Sequence, residues 1–159
     1  SVLRMNVKVV GLDQLSMLPV VILTDDEEEK YVPLVIGPAE ANAIAVVLEN
    51  IEVGRPLTHD LMLSTIIALG ARIDRVVITD IANDVYYAEI YLIQNGKEIK
   101  MDARPSDSIA LALRAGVPIY VADKVVAHSV AARTSEDPEM EEFRSFLEDL
   151  SPDDFRKEN

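Results

Sequence analysis

Residues 85–103 read VYYAEIYLIQNGKEIKMDA and predict two antiparallel strands joined by a tight turn. Asn95-Gly96 favours a two-residue hairpin turn in which both central residues adopt positive φ. With these two residues in the turn, the register is determined, because each remaining residue pairs with one at the same distance from the turn. One face of the hairpin is then apolar, with Leu92 opposite Ile99, Ile90 opposite Met101, and Ala88 opposite Ala103.

The other face of this hairpin places Glu89 directly opposite Asp102. Like charges in opposed positions destabilise a sheet, so a compensating cation is expected beside them. An arginine from a neighbouring strand, Arg75 or Arg72, is one candidate, and a divalent cation is the other.

Outward from the hairpin, strand and helix patterns follow one another irregularly along the chain. Strands are predicted over residues 2–12, 20–23, 30–36, 72–81 and 118–122, beside the two strands of the hairpin. Helices are predicted from Pro38, over 58–69 with Thr58 as N-cap, and over 105–115. The helix over 58–69 is apolar on nearly every side and is therefore expected to be buried. Because the elements follow no regular βαβ order, the predicted fold class is α+β, with a mixed, largely antiparallel sheet packed with helices.

Charge divides the chain into two predicted units, a domain over residues 1–134 and an acidic C-terminal helical tail over 135–159. The whole chain has 159 residues and a net charge of −13. Its tail contains ten acidic and three basic residues, with Phe143, Phe146 and Leu147 at helical spacing. The overall charge argues against a large basic surface for nucleic acid. A polyanionic substrate would therefore have to meet a local basic site or a metal ion.

The composition also excludes several kinds of protein. The chain has no cysteine, which excludes a disulfide scaffold, a cysteine-ligated metal site and a thiol nucleophile. The uncharged stretch over residues 61–71 is far too short to span a bilayer. The first residues show a strand pattern rather than a continuous apolar signal segment, so a cytoplasmic location is expected.

Polar side chains cluster at the start of each predicted helix. Glu40 lies in the first turn of the first helix, where a carboxylate is favoured by the positive helix end or could act as a metal ligand or general base. His59 and Asp60 lie in the first turn of the second helix, after Arg55 and Thr58, beside amide groups that suit a phosphate. A histidine next to a carboxylate can transfer protons near neutral pH, although both residues are equally well explained as ordinary surface residues.

The start of the third helix carries Arg104, Ser106 and Asp107. Helix capping explains Ser106 and Asp107. It does not explain Arg104, whose planar guanidinium suits a phosphate or a buried carboxylate.

Four pieces of this sequence resemble the bifunctional nuclease domain family, whose members are described as acting on both DNA and RNA. The pieces are PLVIG at residues 33–37 with Glu40 after it, RPLTHD at 55–60, DARPSD at 102–107, and AGVPI at 115–119. The resemblance implies an α+β fold and metal-assisted hydrolysis of phosphodiester bonds in DNA and RNA. It also implies a homo-oligomer, with a dimer as the expected form, and no membrane partner.

The motif positions of the family fall on these residues, and we expect the following roles for them from the chemistry of their side chains. The catalytic residues are His59, Asp60, Arg104 and Asp107. The substrate-binding residues are Arg55, Thr58, Arg104 and Ser106. The metal ligands are Glu40, Asp60 and Asp107, holding Mg²⁺ or Mn²⁺ as the cofactor.

A non-enzymatic interpretation stays open beside the nuclease. In it the chain is an oligomeric binding or regulatory module, and Glu40, Arg104 and Asp107 form internal salt bridges that hold helix starts to the sheet. The acidic tail then docks on a neighbouring subunit or another partner. Geometry distinguishes the two, because paired and buried charges favour the module, whereas an open cleft with unpaired carboxylates favours the nuclease.

Overall fold

A computed structural model describes residues 1–134, and the strands of this part of the chain form one sheet. They are β1 (Val2–Leu12), β2 (Pro19–Thr24), β3 (Tyr31–Val35), β4 (Ala71–Ala82), β5 (Val85–Gln94), β6 (Lys97–Ala103) and β7 (Ile119–Ala122). The strand order is β3-β2-β1-β7-β4-β5-β6. Neighbouring strands are antiparallel except β4 and β7, which are parallel. The predicted α+β class with a mixed, largely antiparallel sheet is confirmed.

The helices of the described part are α1 (Pro38–Leu48), α2 (Thr58–Ala68), α3 (Pro105–Ala115) and α4 (Asp123–Thr134). As predicted, α1 and α3 begin with proline, because the first helical position needs no N–H donor. Gly116 ends α3 with φ of 68°, the left-handed conformation that glycine adopts at little cost. Within residues 1–134, no helix has the length and apolar character needed to cross a membrane.

The hairpin of β5 and β6 has the predicted register. Asn95 and Gly96 both have positive φ, at 51° and 74°. Glu89 pairs with Asp102 across the strands, so the predicted opposition of like charges is present.

The predicted compensation of this pair by Arg75 or Arg72 is wrong. Lys100 supplies the cation, with its Nζ 3.2 Å from Glu89 Oε2. Lys100 lies opposite Tyr91, which makes it a diagonal neighbour of Glu89 on the same face of the sheet. Arg75 instead pairs with Asp74 at 2.8 Å and lies over the Tyr91 ring, 3.9 Å from its centroid.

The hydrophobic core lies between one face of the sheet and α1, α3 and α4. β1 is shared by two parts of the sheet, since its residues 2–5 pair with β7 and its residues 6–12 pair with β2. α1 packs against β1 and β2, α3 packs against β4 and β5, and α1 and α3 contact each other. This packing brings the helix starts that carry the polar motifs to one region of the molecule.

α2 is not buried, contrary to the prediction. It packs on α3 and β4 through the partly buried Leu63 and Ile66, with His59 as its buried residue, and most of its other side chains are exposed. α1, α3 and α4 already cover the sheet, so α2 is left as an outer helix.

Three local predictions also need correction or extension. Thr58 is the first helical residue of α2 rather than its N-cap, and the Asp60 carboxylate accepts the Leu57 N–H at 2.8 Å in place of a cap. Ser106 likewise caps nothing, because α3 begins after Arg104 without a side-chain cap bond. α4 had no predicted counterpart, and the helix predicted in the acidic tail lies outside the described residues.

Candidate active site at three helix N-termini

Each of the first three helices carries a carboxylate at its third helical position. These residues are Glu40 in α1, Asp60 in α2 and Asp107 in α3. A carboxylate in the first turn is favoured by the free N–H groups and the positive end of the helix dipole. Local sequence therefore explains why the carboxylates are there, and only the packing of the helices decides what they contact.

Arg104 connects two of these carboxylates. Its Nη1 lies 2.8 Å from Glu40 Oε1, and its Nε lies 2.8 Å from Asp107 Oδ2. The Arg104 side chain nevertheless remains 65% exposed. The guanidinium is thus held on one side by the protein while much of its surface faces solvent.

His59 extends the chain of contacts from the other side of Asp107. Its Nε2 lies 2.8 Å from Asp107 Oδ1, and the residue is only 6% exposed. An ionised carboxylate can only accept, so Nε2 carries the proton and donates it. An ion pair joins Arg104 to Glu40, and hydrogen bonds from Arg104 and His59 meet at Asp107. We call these four side chains the Arg104 network.

The charge state of Asp107 follows from its surroundings. Burial opposes its ionisation, but hydrogen bonds from Arg104 and His59 outweigh this effect and hold its pKa below the ordinary value. Asp107 is therefore ionised at neutral pH and serves as the acceptor that orients both partners.

Asp60 belongs to a second pair next to the Arg104 network. Its Oδ1 accepts a 2.7 Å hydrogen bond from Nε of Arg114, which lies in the last turn of α3. The backbone N–H of Leu57 and then Arg114 lower the pKa of Asp60, against the effect of burial. The Arg114 side chain is only 5% exposed, and its Nη2 is buried without an acceptor among the described residues.

A groove of about 310 Å³ runs past Arg104. It lies between the end of β3, the start of α3 and the turn between β4 and β5, and its lining includes Val35, Tyr86, Arg104 and Ser106. Gly37 also lines it, and a Cβ at this position would lie 2.7 Å from Glu40 Oε1. A larger residue at position 37 would therefore displace the Glu40 carboxylate from its present position beside Arg104.

The structure brings together only part of the predicted site. Glu40, His59, Arg104 and Asp107 form the network, and Ser106 lines the groove beside it. Asp60 is turned toward Arg114 instead. The remaining two predicted residues, Arg55 and Thr58, are exposed and make no side-chain hydrogen bond or ion pair with residues 1–134.

Arg114 is the residue that sequence reasoning missed. It follows Asp107 by seven residues, which places both on one face of α3. His59 and Asp60 are adjacent, so a helix start that meets this face can pair both residues at once. The matching spacing was a usable signal, although it did not specify which helices would meet.

The three predicted metal ligands do not share a position in this arrangement. Glu40 and Asp107 face Arg104, whereas Asp60 faces Arg114. Within residues 1–134 the one group of three acidic side chains close enough to share an ion is Asp25, Glu27 and Glu29, in the turn between β2 and β3. Asp25 there already accepts the backbone N–H groups of Glu29 and Lys30.

These features define an α+β domain with a charged network at three converging helix starts. The sequence model of the bifunctional nuclease domain matches residues 21–134. The chain therefore belongs to the bifunctional nuclease domain family.

Three relatives differ in how much of their length they share with this chain. An uncharacterized protein of Mycobacterium tuberculosis (strain H37Rv) is 41% identical over 163 residues, which cover 95% of this chain and 98% of the relative. Bifunctional nuclease 1 of Oryza sativa subsp. indica is 30% identical over 105 residues, covering 64% of this chain and 32% of the relative. Bifunctional nuclease 2 of Arabidopsis thaliana is 26% identical over 117 residues, which cover 72% of this chain and 35% of the relative. The chain thus matches about a third of the plant proteins' length.

Proposed function

We propose that this chain is a nuclease that holds a phosphodiester of DNA or RNA at the Arg104 network and hydrolyses it. One observation carries the proposal. Residues from the starts of three helices converge in the network. The chain belongs to the bifunctional nuclease domain family and is similar to plant proteins named bifunctional nucleases, which supports this function.

Arg104 is the phosphate-binding residue in this proposal. Its Nε and Nη1 hold carboxylates, which leaves the N–H groups of Nη2 for a phosphate oxygen. The starts of α1 and α3 add free backbone N–H groups, which favour an anion at the same place. Arg104 would also stabilise the negative charge that develops on the phosphate during cleavage.

His59 is the proton-transfer residue in this proposal. Its bond from Nε2 to Asp107 fixes the ring orientation and the tautomer, so Nδ1 is the nitrogen that can accept or release a proton. Asp107 acts as the orienting carboxylate, in the way that a buried acid orients the histidine of a catalytic triad.

Mg²⁺ or Mn²⁺ as the cofactor stays a prediction. The carboxylates of Glu40, Asp60 and Asp107 each have an arginine partner and point to two different places. In this arrangement they do not fit one shared ion, so no step of the mechanism is derived through a metal.

A non-enzymatic binding or regulatory module is the second candidate. The observation in its favour is that every carboxylate of the Arg104 network has a charged or hydrogen-bonding partner. Paired charges of this kind suit a structural role at helix starts.

Cleavage assays with the highly purified 159-residue chain test the proposal. The substrates are short single- and double-stranded DNA and RNA, each with EDTA, Mg²⁺ or Mn²⁺. We expect Arg104→Ala to lose at least about 100-fold in activity, as when a donor to a developing negative charge is removed. Arg72→Ala is the matched control, because Arg72 is also 65% exposed and pairs with a carboxylate, Asp74, away from the network.

The result against the proposal is also defined. If wild type, Arg104→Ala and Asp107→Asn are all folded and show the same residual cleavage, the activity comes from contamination. The binding module then becomes the better explanation. Activity that survives EDTA would remove the predicted metal and leave the role of Arg104 in place.

A further inference from the structure

The groove beside Arg104 has apolar and aromatic walls as well as a charged one. Val35, at the end of β3, is 66% exposed, and Val85, at the start of β5, is 52% exposed, and both line the groove. Tyr86 also lines it and is half-buried. We propose that this groove holds one unpaired nucleobase of a strand whose phosphate lies at Arg104, so that the chain selects single-stranded over double-stranded nucleic acid. The inference deepens the proposed function and rests on the phosphate position given there.

Arg104 and Ser106 form the polar side of the groove, at the start of α3. Ser106 is only 5% exposed, and its hydroxyl has no hydrogen-bond partner within residues 1–134. Buried hydroxyl groups normally have such a partner, and a phosphate oxygen in the groove would provide it. The free backbone N–H groups in the first turn of α3 favour an anion at the same side. The phosphate of a bound strand therefore belongs at this side of the groove.

The other two sides suit the uncharged part of a nucleotide. A nucleobase has apolar faces, which pack on aromatic side chains whatever the base. Val35 supplies an aliphatic surface from β3, and Val85 and Tyr86 supply an aliphatic and an aromatic surface from β5. Tyr86 also packs against the hydrophobic core, which holds its side chain in place. The groove thus offers a fixed apolar surface beside a phosphate-binding group.

Asp84 is the acidic residue in the lining of this groove. It is exposed and lies in the turn between β4 and β5. Its carboxylate would repel a second phosphate but not an uncharged base, because like charges brought together disfavour the wrong partner. Asp84 therefore favours an arrangement in which the phosphate lies at Arg104 and the base lies along the apolar walls.

The size of the groove limits what can enter it. Its volume of about 310 Å³ lies at the lower end of ligand pockets, which range from about 300 to 1,000 Å³. A single nucleotide suits this space, whereas a duplex does not. In a duplex the bases are paired and stacked, so one of them could enter the groove only after it was extruded from the helix. A chain of net charge −13 has no large basic surface that would hold the duplex and offset this cost.

Fluorescence anisotropy with the 159-residue chain tests the inference by binding alone. The probes are a short labelled DNA strand, the same strand annealed to its complement, and the same strand with abasic residues. EDTA is present, and a gel after each titration checks that the strands are intact. We expect the single strand to bind at least about 30-fold more tightly than the duplex and about 10-fold more tightly than the abasic strand.

Variants of the apolar walls assign the binding to this groove. Tyr86→Leu removes the ring and should weaken binding of the single strand about 10-fold, with no effect on the abasic strand, whereas Tyr86→Phe should bind like wild type. Tyr87→Leu is the matched control, because Tyr87 is the next residue of β5, faces the other side of the sheet and is 45% exposed. If circular dichroism shows that Tyr86→Leu is unfolded, Val35→Asn/Val85→Asn replaces it at exposed positions and should weaken the same binding about 5-fold.

Three results would overturn the inference. The duplex or the abasic strand could bind as tightly as the single strand, the groove variants could bind like Tyr87→Leu, or no strand could bind at all. The cleavage assays separate this failure from failure of the proposed function. Cleavage that depends on Arg104 but proceeds equally on duplex would keep the nuclease and refute the base-binding groove. A single strand that is bound as expected but never cleaved would keep the groove and refute the nuclease.

Discussion

Replacing Asp60 by asparagine should destabilise the protein strongly, although Asp60 lies near the surface. The reason is its partner, Arg114, whose side chain is only 5% exposed. Asparagine has nearly the same shape as aspartate and can still accept the Leu57 N–H. The substitution therefore removes the negative charge from Arg114 while it preserves the local backbone contact.

The expected cost follows from the burial of Arg114. Removing one partner of a buried ion pair typically costs about 3–5 kcal/mol, because the remaining charge is left uncompensated out of water. Asp60 itself is 32% exposed, so part of its interaction with Arg114 is already weakened by solvent. We therefore expect Asp60→Asn to lower the free energy of unfolding by about 2–3 kcal/mol, and the melting temperature by about 5–10 °C for a chain of this length.

Urea and thermal unfolding followed by circular dichroism measure this change. Protein concentration is held constant, so that any self-association contributes equally to the apparent stability of every variant. Asp74→Asn is the control, since Asp74 forms similar arginine pairs with two partly exposed arginines at the surface. We expect it to leave the unfolding free energy almost unchanged.

The double variant Asp60→Asn/Arg114→Met completes the test. Methionine fills a similar volume without a charge, so the double variant should recover much of the stability that Asp60→Asn loses. The reasoning is refuted if Asp60→Asn costs less than about 1 kcal/mol, or if the double variant is less stable than the single one.

Three further predictions concern other parts of the fold. In Gly37→Ala the new Cβ would lie 2.7 Å from Glu40 Oε1, so the Glu40 carboxylate must move away and its salt bridge with Arg104 breaks. We expect nuclease activity to fall about 10-fold, while the unfolding free energy changes by less than about 1 kcal/mol. Backbone N–H groups, the largest effect in both cases, hold the pKa values of Asp25 and Asp60 below the ordinary value. Their contribution to stability should therefore be complete at neutral pH and be lost as pH falls below about 4, which urea unfolding at a series of pH values checks. Gly116→Ala should lower the unfolding free energy by about 1 kcal/mol through backbone strain alone, because φ is 68° at this residue and no atom lies near the new Cβ. A loss above about 3 kcal/mol would show that packing is also disturbed.

Local signals predicted most of the elements correctly. The Asn95-Gly96 turn specified the register of β5 and β6, because a two-residue loop leaves no freedom in the pairing. The prolines at the starts of α1 and α3 marked those helices, because proline suits the first helical position. α4 was missed because its sequence has no comparable start signal and little apolar periodicity.

The partners of the charged side chains were harder to predict than their positions. The sequence indicated that Glu40, His59, Arg104 and Asp107 belong to one site, through their place at helix starts and through the family resemblance. It did not indicate that Asp60 would turn away from them to Arg114. That choice depends on the angle at which α2 meets α3, which is decided by contacts between residues far apart in the chain.

By itself, then, the sequence determined the α+β class, the strands around the Asn95-Gly96 hairpin and the acidic first turns of three helices. These features depend on neighbouring residues and on turn geometry, which a local pattern contains. Only the tertiary structure decided that β7 lies between β1 and β4, that Arg75 pairs with Asp74 rather than with Glu89, and that α2 lies outside the core. These features depend on which distant surfaces pack together, because burial and ion pairing are properties of the folded chain as a whole.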